Sequence, residues 1–158
     1  MKLAVYPGSF DPVTNGHLDV LQRGLKIFYK IIIGVGEHTD KKYLFSADER
    51  VSLLQEVTKG MPVFIKHFKG LLVDFAKKER ACAILRGLRA VSDFDVEFQQ
   101  ALMNRKLNNE IETIFIMTRG MYSYLSSSLV KEVAHLGGNL NGMVPEPVEE
   151  RLRGKFKQ

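Results

Sequence analysis

The sequence predicts an α/β protein built on a doubly wound, five-stranded parallel sheet. Strand-like and helix-like patterns alternate from end to end, as repeated β-α units require. "KIIIGV" (30–35) is apolar on both faces, like strands of parallel sheets covered by helices on both sides. Polar and basic residues follow nearly every strand-like run, where such sheets bind ligands, beyond the carboxyl ends of their strands. With 158 residues, one domain spanning 1–158 with a single core is expected.

The first strand is expected at 2–6. Leu18, Leu21, Leu25 and Phe28 then share one helical face. After the second strand, "SADE" (46–49) has the form of a capping box and opens a helix carrying Val51, Leu54 and Val57. "PVFIKHF" (62–68) is a less buried third strand, and Leu71, Leu72, Phe75 and Ala76 mark a short helix. "CAILR" (82–86) is the fourth strand. Ser92 can cap the next helix, which carries Phe94, Phe98, Ala101, Leu102 and Arg105. "ETIFIM" (112–117) is the fifth strand. "SSSLVKEVAHLGG" reads as a serine-capped helix stopped by Gly137 and Gly138. Val148 and Leu152 lie one turn apart on a last helix.

Composition excludes several classes. No apolar run approaches the roughly 18 residues of a membrane span, and the N-terminal run is too short for a secretory core, so a cytoplasmic protein is expected. The single cysteine, Cys82, forms no internal disulfide, and in "ACAIL" it is expected to be buried packing. No Cys/His spacing suggests zinc. The formal charge of +5 suits partners that carry phosphate. The basic residues follow several strands rather than forming one stripe, which argues against a nucleic-acid-binding module.

The usual nucleotide fingerprints are missing. There is no G-x-x-x-x-G-K-[ST], and "GVGEHT" lacks the third glycine of a dinucleotide loop, which disfavours a nicotinamide-dependent oxidoreductase. What stands out is "YPGSFDPVTNGH" (6–17), a long turn before the first helix. Gly8 and Gly16 permit close backbone approach, Pro7 and Pro12 stiffen the path, and His17 sits where unpaired helix amides suit a phosphate. The plain alternative is a capping turn with a surface histidine. His38, His67 and His135 have no such setting and read as structural or solvated. "RGLRAVSDFD" places Arg86 and Arg89 after a strand, fit for bidentate phosphate contact or for salt bridges with Asp93, Asp95 or Glu97. "YSYLSSSLVKE" offers hydroxyls and amides at another helix start, and "DKKY" adds Lys41 and Lys42.

Together, "YPGSFDPVTNGH", "FS-x-x-ER" (45–50), "RGLRAVSDFD-x-E" and "SSSLVKE" resemble the bacterial phosphopantetheine adenylyltransferases, in that family's order and over essentially the whole chain. "T-x-GH" alone is similar to the wider nucleotidyltransferase superfamily. The resemblance implies a Rossmann-like nucleotidyltransferase fold. It also implies transfer of AMP from ATP to 4'-phosphopantetheine, giving dephospho-coenzyme A and pyrophosphate, with Mg2+, in a homohexamer binding neither nucleic acid nor membrane. By the same resemblance, His17 stabilises the transition state. Ser9, Lys41, Leu72 and Arg86 match positions that contact 4'-phosphopantetheine. Ser9, Phe10, His17, Gly87, Leu88, Arg89, Glu97, Tyr122, Ser123, Tyr124, Leu125, Ser126, Ser127 and Ser128 match positions that contact ATP. "GEHTDKK" departs from the family's commoner small residues, so Lys41 and Lys42 remain alternatives for the acceptor contact. The nucleophile is a phosphate monoester, mostly dianionic at neutral pH, so neither a general base nor a covalent intermediate is expected. Another nucleotidyltransferase with a different phosphate acceptor is the alternative.

Overall fold

Five strands pair in the order β3-β2-β1-β4-β5, all parallel. A computed structural model describes residues 2–37 and 40–157, Val91 and Ser92 by their backbone alone. The strands are β1 (Leu3–Gly8), β2 (Lys30–Gly36), β3 (Val63–Phe68), β4 (Ala83–Leu88) and β5 (Glu112–Met117). The helices are α1 (Asn15–Gly24), α2 (Ala47–Val57), α3 (Leu72–Lys78), α4 (Val91–Leu107), α5 (Ser127–His135) and α6 (Glu146–Phe156). Register runs Leu3 beside Lys30, Ile31 beside Val63, Ala4 beside Ala83 and Ala83 beside Glu112.

Side-chain alternation divides the core between the two sheet faces. Ala4, Tyr6, Ile31, Ile33 and Leu85 face a large cluster closed by Leu21, Leu53, Leu54, Val130, Val148 and Leu152. Val5, Ile32 and Ile84 face a smaller cluster with Val73, Phe75 and Ala76 of α3. Reading β2 as buried on both faces is borne out, as is reading β3 as less buried, because β3 is an edge strand. The Ser46/Glu49 capping box forms on α2. At the end of α5 the Gly137 amide donates to Ala134 and the Gly138 amide to Val133, with Gly137 at φ 74°, a glycine-terminated Schellman stop.

Some local expectations are corrected. Helix α1 ends at Gly24, so Phe28 reaches the core from the following turn. Leu71 is the exposed N-cap of α3, and Val73 takes the buried place. Cys82 is exposed, because it precedes β4 and alternates with the buried Ala81 and Ala83; its thiol reaches the Leu3 carbonyl at 3.3 Å. The N-cap of α4 is Ala90 rather than Ser92, whose side chain lies outside the described residues. The apolar residues of α4 are not buried within this chain: Phe94, Phe98 and Leu102 on one flank and Val96, Met103 and Leu107 on the opposite flank are all exposed. The small core cluster is closed by α3 and takes no residue from α4. His67 pairs with Glu37 at 3.3 Å and His135 packs edge-on against Phe156, while His38 lies outside the described residues.

Candidate active site

Strand order reverses at β1, with β2 and β3 on one side and β4 and β5 on the other. Loops leaving β1 and β4 therefore diverge and open a crevice there. A cavity of about 490 Å³ occupies it. Its walls come from the β1–α1 loop, the end of β4, the start of α4 and the N-terminus of α5.

The β1–α1 loop is tightly made. A Cβ on Gly8 would stand 2.9 Å from the Phe10 ring, so this place requires glycine. Gly16 has no such demand within the chain, since a Cβ there would meet its neighbours at 3.5 Å or more. Phe10 holds φ 48°, a left-handed backbone rare for a bulky residue and typical of strained functional loops. Thr14 caps α1. Its hydroxyl accepts the His17 amide at 3.3 Å, and its own amide donates to His17 Nδ1 at 3.0 Å. His17 thus takes the place a glutamate fills in an ordinary capping box.

That geometry settles the imidazole's state. A backbone N–H can only donate, so Nδ1 is the acceptor and the neutral ring carries its proton on Nε2. Burial, then Arg89 and Arg86, lower the His17 pKa from 6.5 to about 4. The ring is therefore a neutral Nε2–H donor at the cavity wall, edge-on to Phe10 at 5.1 Å.

Four cations line the same cavity: Lys41, Arg86, Arg89 and Lys131. Three are tied to carboxylates. Arg86 forms a two-pronged pair with Glu97 and also donates to the Pro7 carbonyl at 3.3 Å. Burial works against the Arg86 charge, but Glu97 more than reverses it, and the pKa is raised. Arg89 pairs with Asp93 at 3.1 Å and donates to the Leu125 carbonyl at 2.9 Å. Lys131 pairs with Asp11 at 3.0 Å. Lys41 has no carboxylate partner among the described residues; it meets Ser9 Oγ at 3.1 Å and lies 5.7 Å from the centre of the Tyr43 ring. Ser127 donates to the Pro12 carbonyl at 2.8 Å, and the Ser126 hydroxyl caps α5 by accepting the Leu129 amide at 3.1 Å. The amino ends of α1 and α5, each with partial positive charge, open on one space, although on α1 the Asn15 amide is taken by the Met143 carbonyl and the His17 amide by the Thr14 hydroxyl.

Of the residues singled out in the sequence, Ser9, Phe10, His17, Lys41, Arg86, Gly87, Arg89, Glu97 and Leu125 to Ser128 line this cavity. Lys41, not Lys42, is the lysine at its wall. Leu72 lies elsewhere. It follows the edge strand β3 and packs on the smaller core cluster, near a second cavity of about 590 Å³ lined by Lys66, His67, Gly70 and Leu71 among others. Leu88, Tyr122, Ser123 and Tyr124 do not line the first cavity; Ser123 closes a single 3₁₀ turn through its hydroxyl to the Gly120 carbonyl. Glu97 was expected beside nucleotide, and it holds Arg86.

Sequence reasoning gave no role to Asp11, Thr14, Arg50 or Lys131. Asp11 is 2% exposed, and its carboxylate accepts the Leu44 and Phe45 amides, each at 2.9 Å, besides Lys131. It fastens the segment after Lys41 to the β1–α1 loop and to α5. Lys131 carried a local signal, four residues after Ser127 and so on the same side of the helix. The pairing of Asp11 across 120 positions carried none.

The cytidylyltransferase-like family model matches residues 5–133. A phosphopantetheine adenylyltransferase of Desulfatibacillum aliphaticivorans is 57% identical over 99% of this chain and 90% of its own length. One from Caldanaerobacter subterraneus subsp. tengcongensis is also 57% identical, over 100% of this chain and 99% of its own. Among solved structures, the Plasmodium falciparum nicotinic acid mononucleotide adenylyltransferase complexed with NaAD superposes with a TM-score of 0.69 at 14% identity, over 98% of this chain and 95% of that one, a likeness of fold. By full-length identity and matching family model, this chain belongs to the phosphopantetheine adenylyltransferase family within the cytidylyltransferase-like proteins.

Proposed function

We propose that this protein transfers the adenylyl group of ATP to 4'-phosphopantetheine, giving dephospho-coenzyme A and pyrophosphate, a step of coenzyme A biosynthesis. One observation carries the reading beyond family membership. Two helix amino ends, four cations and a neutral histidine donor converge on one cavity at the strand-order reversal. An oxygen of the acceptor phosphate attacks the α-phosphorus, the bond to the bridging oxygen breaks, and pyrophosphate leaves. The nucleophile is already an anion, so no proton must be removed.

Catalysis then rests on position and charge. Lys41, Ser9 and Arg86 hold the acceptor phosphate. Arg89, Phe10, Gly87 and the Leu125–Ser128 segment hold ATP, with Leu88, Glu97 and Tyr122 to Tyr124 framing that side. Leu72 serves the pantetheine arm from outside the cavity. His17 Nε2–H binds the α-phosphate as charge grows on it. Magnesium belongs to the substrate as the ion of Mg·ATP. Among the described residues no group of three or more His, Cys, Asp or Glu is placed to hold a metal. The carboxylates at the cavity, Asp11, Asp93 and Glu97, are each committed to a cation. The single domain acts in the cytoplasm as a homohexamer. The exposed apolar residues on both flanks of α4 support association, because large exposed apolar surface on one chain marks a contact. No helix among the described residues is long and apolar enough to cross a membrane.

Pyrophosphate release from ATP, measured with and without 4'-phosphopantetheine, tests the activity. Release should depend on the acceptor and be matched by dephospho-coenzyme A; equal release in both arms overturns the reading. A second test divides the arginines. Arg89→Ala should weaken ATP binding more than acceptor binding, and Arg86→Ala the reverse, by calorimetric titration. Equal losses, or the opposite pattern, would reject the division.

A further inference from the structure

"FS-x-x-ER" ends in Arg50, which sits one turn into α2 and is 1% exposed. Its guanidinium donates to the Ser9 carbonyl at 2.8 Å, the Gly36 carbonyl at 3.1 Å and the Ser46 carbonyl at 3.4 Å. The Tyr43 ring lies 4.1 Å from its centre. Among the described residues no carboxylate comes within ion-pair distance of it. A fully buried charge normally has a counter-ion, since desolvating it alone is costly. A leucine would fill this place on α2 without that cost.

The neighbours explain the exception. Gly36 ends β2, and the segment leaving it carries Lys41; Ser9 follows β1. Ser9 stands between two cations that lack carboxylate partners among the described residues, Lys41 on its hydroxyl and Arg50 on its carbonyl. The planar fork of arginine spans two carbonyls at once, which a lysine ammonium cannot do in the same geometry. Arg50 does not line the cavity. We infer that Arg50 is a positioning residue. It clamps the ends of β1 and β2 so that Ser9 and Lys41 meet the acceptor phosphate, and the incoming dianion supplies the negative charge that the folded chain withholds. The inference rests on the function proposed above.

Arg50→Met and Arg50→Lys test it, assayed well below their melting temperatures. Displacing a positioned group by about 1 Å can cost about 10²-fold. Arg50→Met should therefore lower kcat/KM for 4'-phosphopantetheine by about 10- to 10²-fold and weaken ATP binding far less. Arg50→Lys should recover part of the loss. A folded Arg50→Met with the parent's kcat/KM for the acceptor, or with equal losses for both substrates, overturns the inference. If neither variant folds, nitrogen NMR of the Arg50 guanidinium in the unmodified protein decides. Its signals should shift when 4'-phosphopantetheine is added and stay in place with ATP alone; no shift with the acceptor overturns the inference. If the unmodified protein makes no dephospho-coenzyme A, the functional reading has failed instead. The same titration with inorganic phosphate then judges Arg50 separately, a shift supporting its link to a bound anion and no shift overturning it.

Discussion

His17→Ala folds, binds ATP within about tenfold of the parent and turns over about 10²–10³-fold more slowly, the usual cost of one lost preorganised donor. The selectivity for kcat follows from the geometry. Nδ1 is occupied by the Thr14 amide, so the ring offers the cavity one donor, Nε2–H. A donor aimed at charge that grows only during reaction lowers kcat when removed and barely changes ground-state affinity. The Thr14 hydroxyl still caps the His17 amide position, so the helix start survives the substitution. Melting temperature, ATP affinity and kcat on this variant check the prediction, and a folded mutant with most of its turnover would remove His17 from the mechanism. The lowered pKa adds a pH signature. An unfolded histidine protonates near 6.5, but this one does so only near 4. The unfolded chain binds the extra proton in that window, so His17 makes the fold less stable as pH falls from about 6.5 to 4 and has no such effect above it. An acid limb in kcat near pH 6 then belongs to the acceptor phosphate, whose second ionisation lies at about 6.

Asp11→Ala loses about 3 kcal/mol of folding stability, because removing a buried carboxylate strands its three donors. Two amides, Leu44 and Phe45, lose their acceptor, and Lys131 loses its counter-ion. For a chain of this size that loss lowers the melting temperature by roughly 6–12 °C. Lys131→Ala should cost less, since the carboxylate keeps both amides. Thermal unfolding of the two variants measures this; an Asp11→Ala melting point at the parent's value would show that the carboxylate does not hold the loop. The same change frees the segment behind Lys41, so activity should fall in any fraction that remains folded.

The legible parts of the site were those written in short, contiguous stretches. The turn from Gly8 to His17 announced a helix amino end by its glycines, its prolines and the histidine that closes it. The serine triplet announced another, and Arg86 and Arg89 followed a strand whose apolar run was plain. Resemblance to a family then tied these segments to one chemistry. The partners were not legible. Arg86 and Arg89 each had several acids within reach along the chain, and only packing chose Glu97 for one and Asp93 for the other.

The sequence by itself determined the alternation of strands and helices, the parallel sheet, the capping box of α2 and the glycine stop. Each depends on residues at most a few positions apart, where hydrophobic period and backbone preference act directly. The tertiary structure alone decided which strand ends face one another. That choice put Leu72 beside a different cavity and brought Lys131 to Asp11. It also sealed Arg50 beneath Ser9 and left apolar residues on both flanks of α4 uncovered. A periodic pattern states that a side chain will be covered but not by what. The covering group and the counter-charge come from contacts between distant segments, which exist only once the strand order is set.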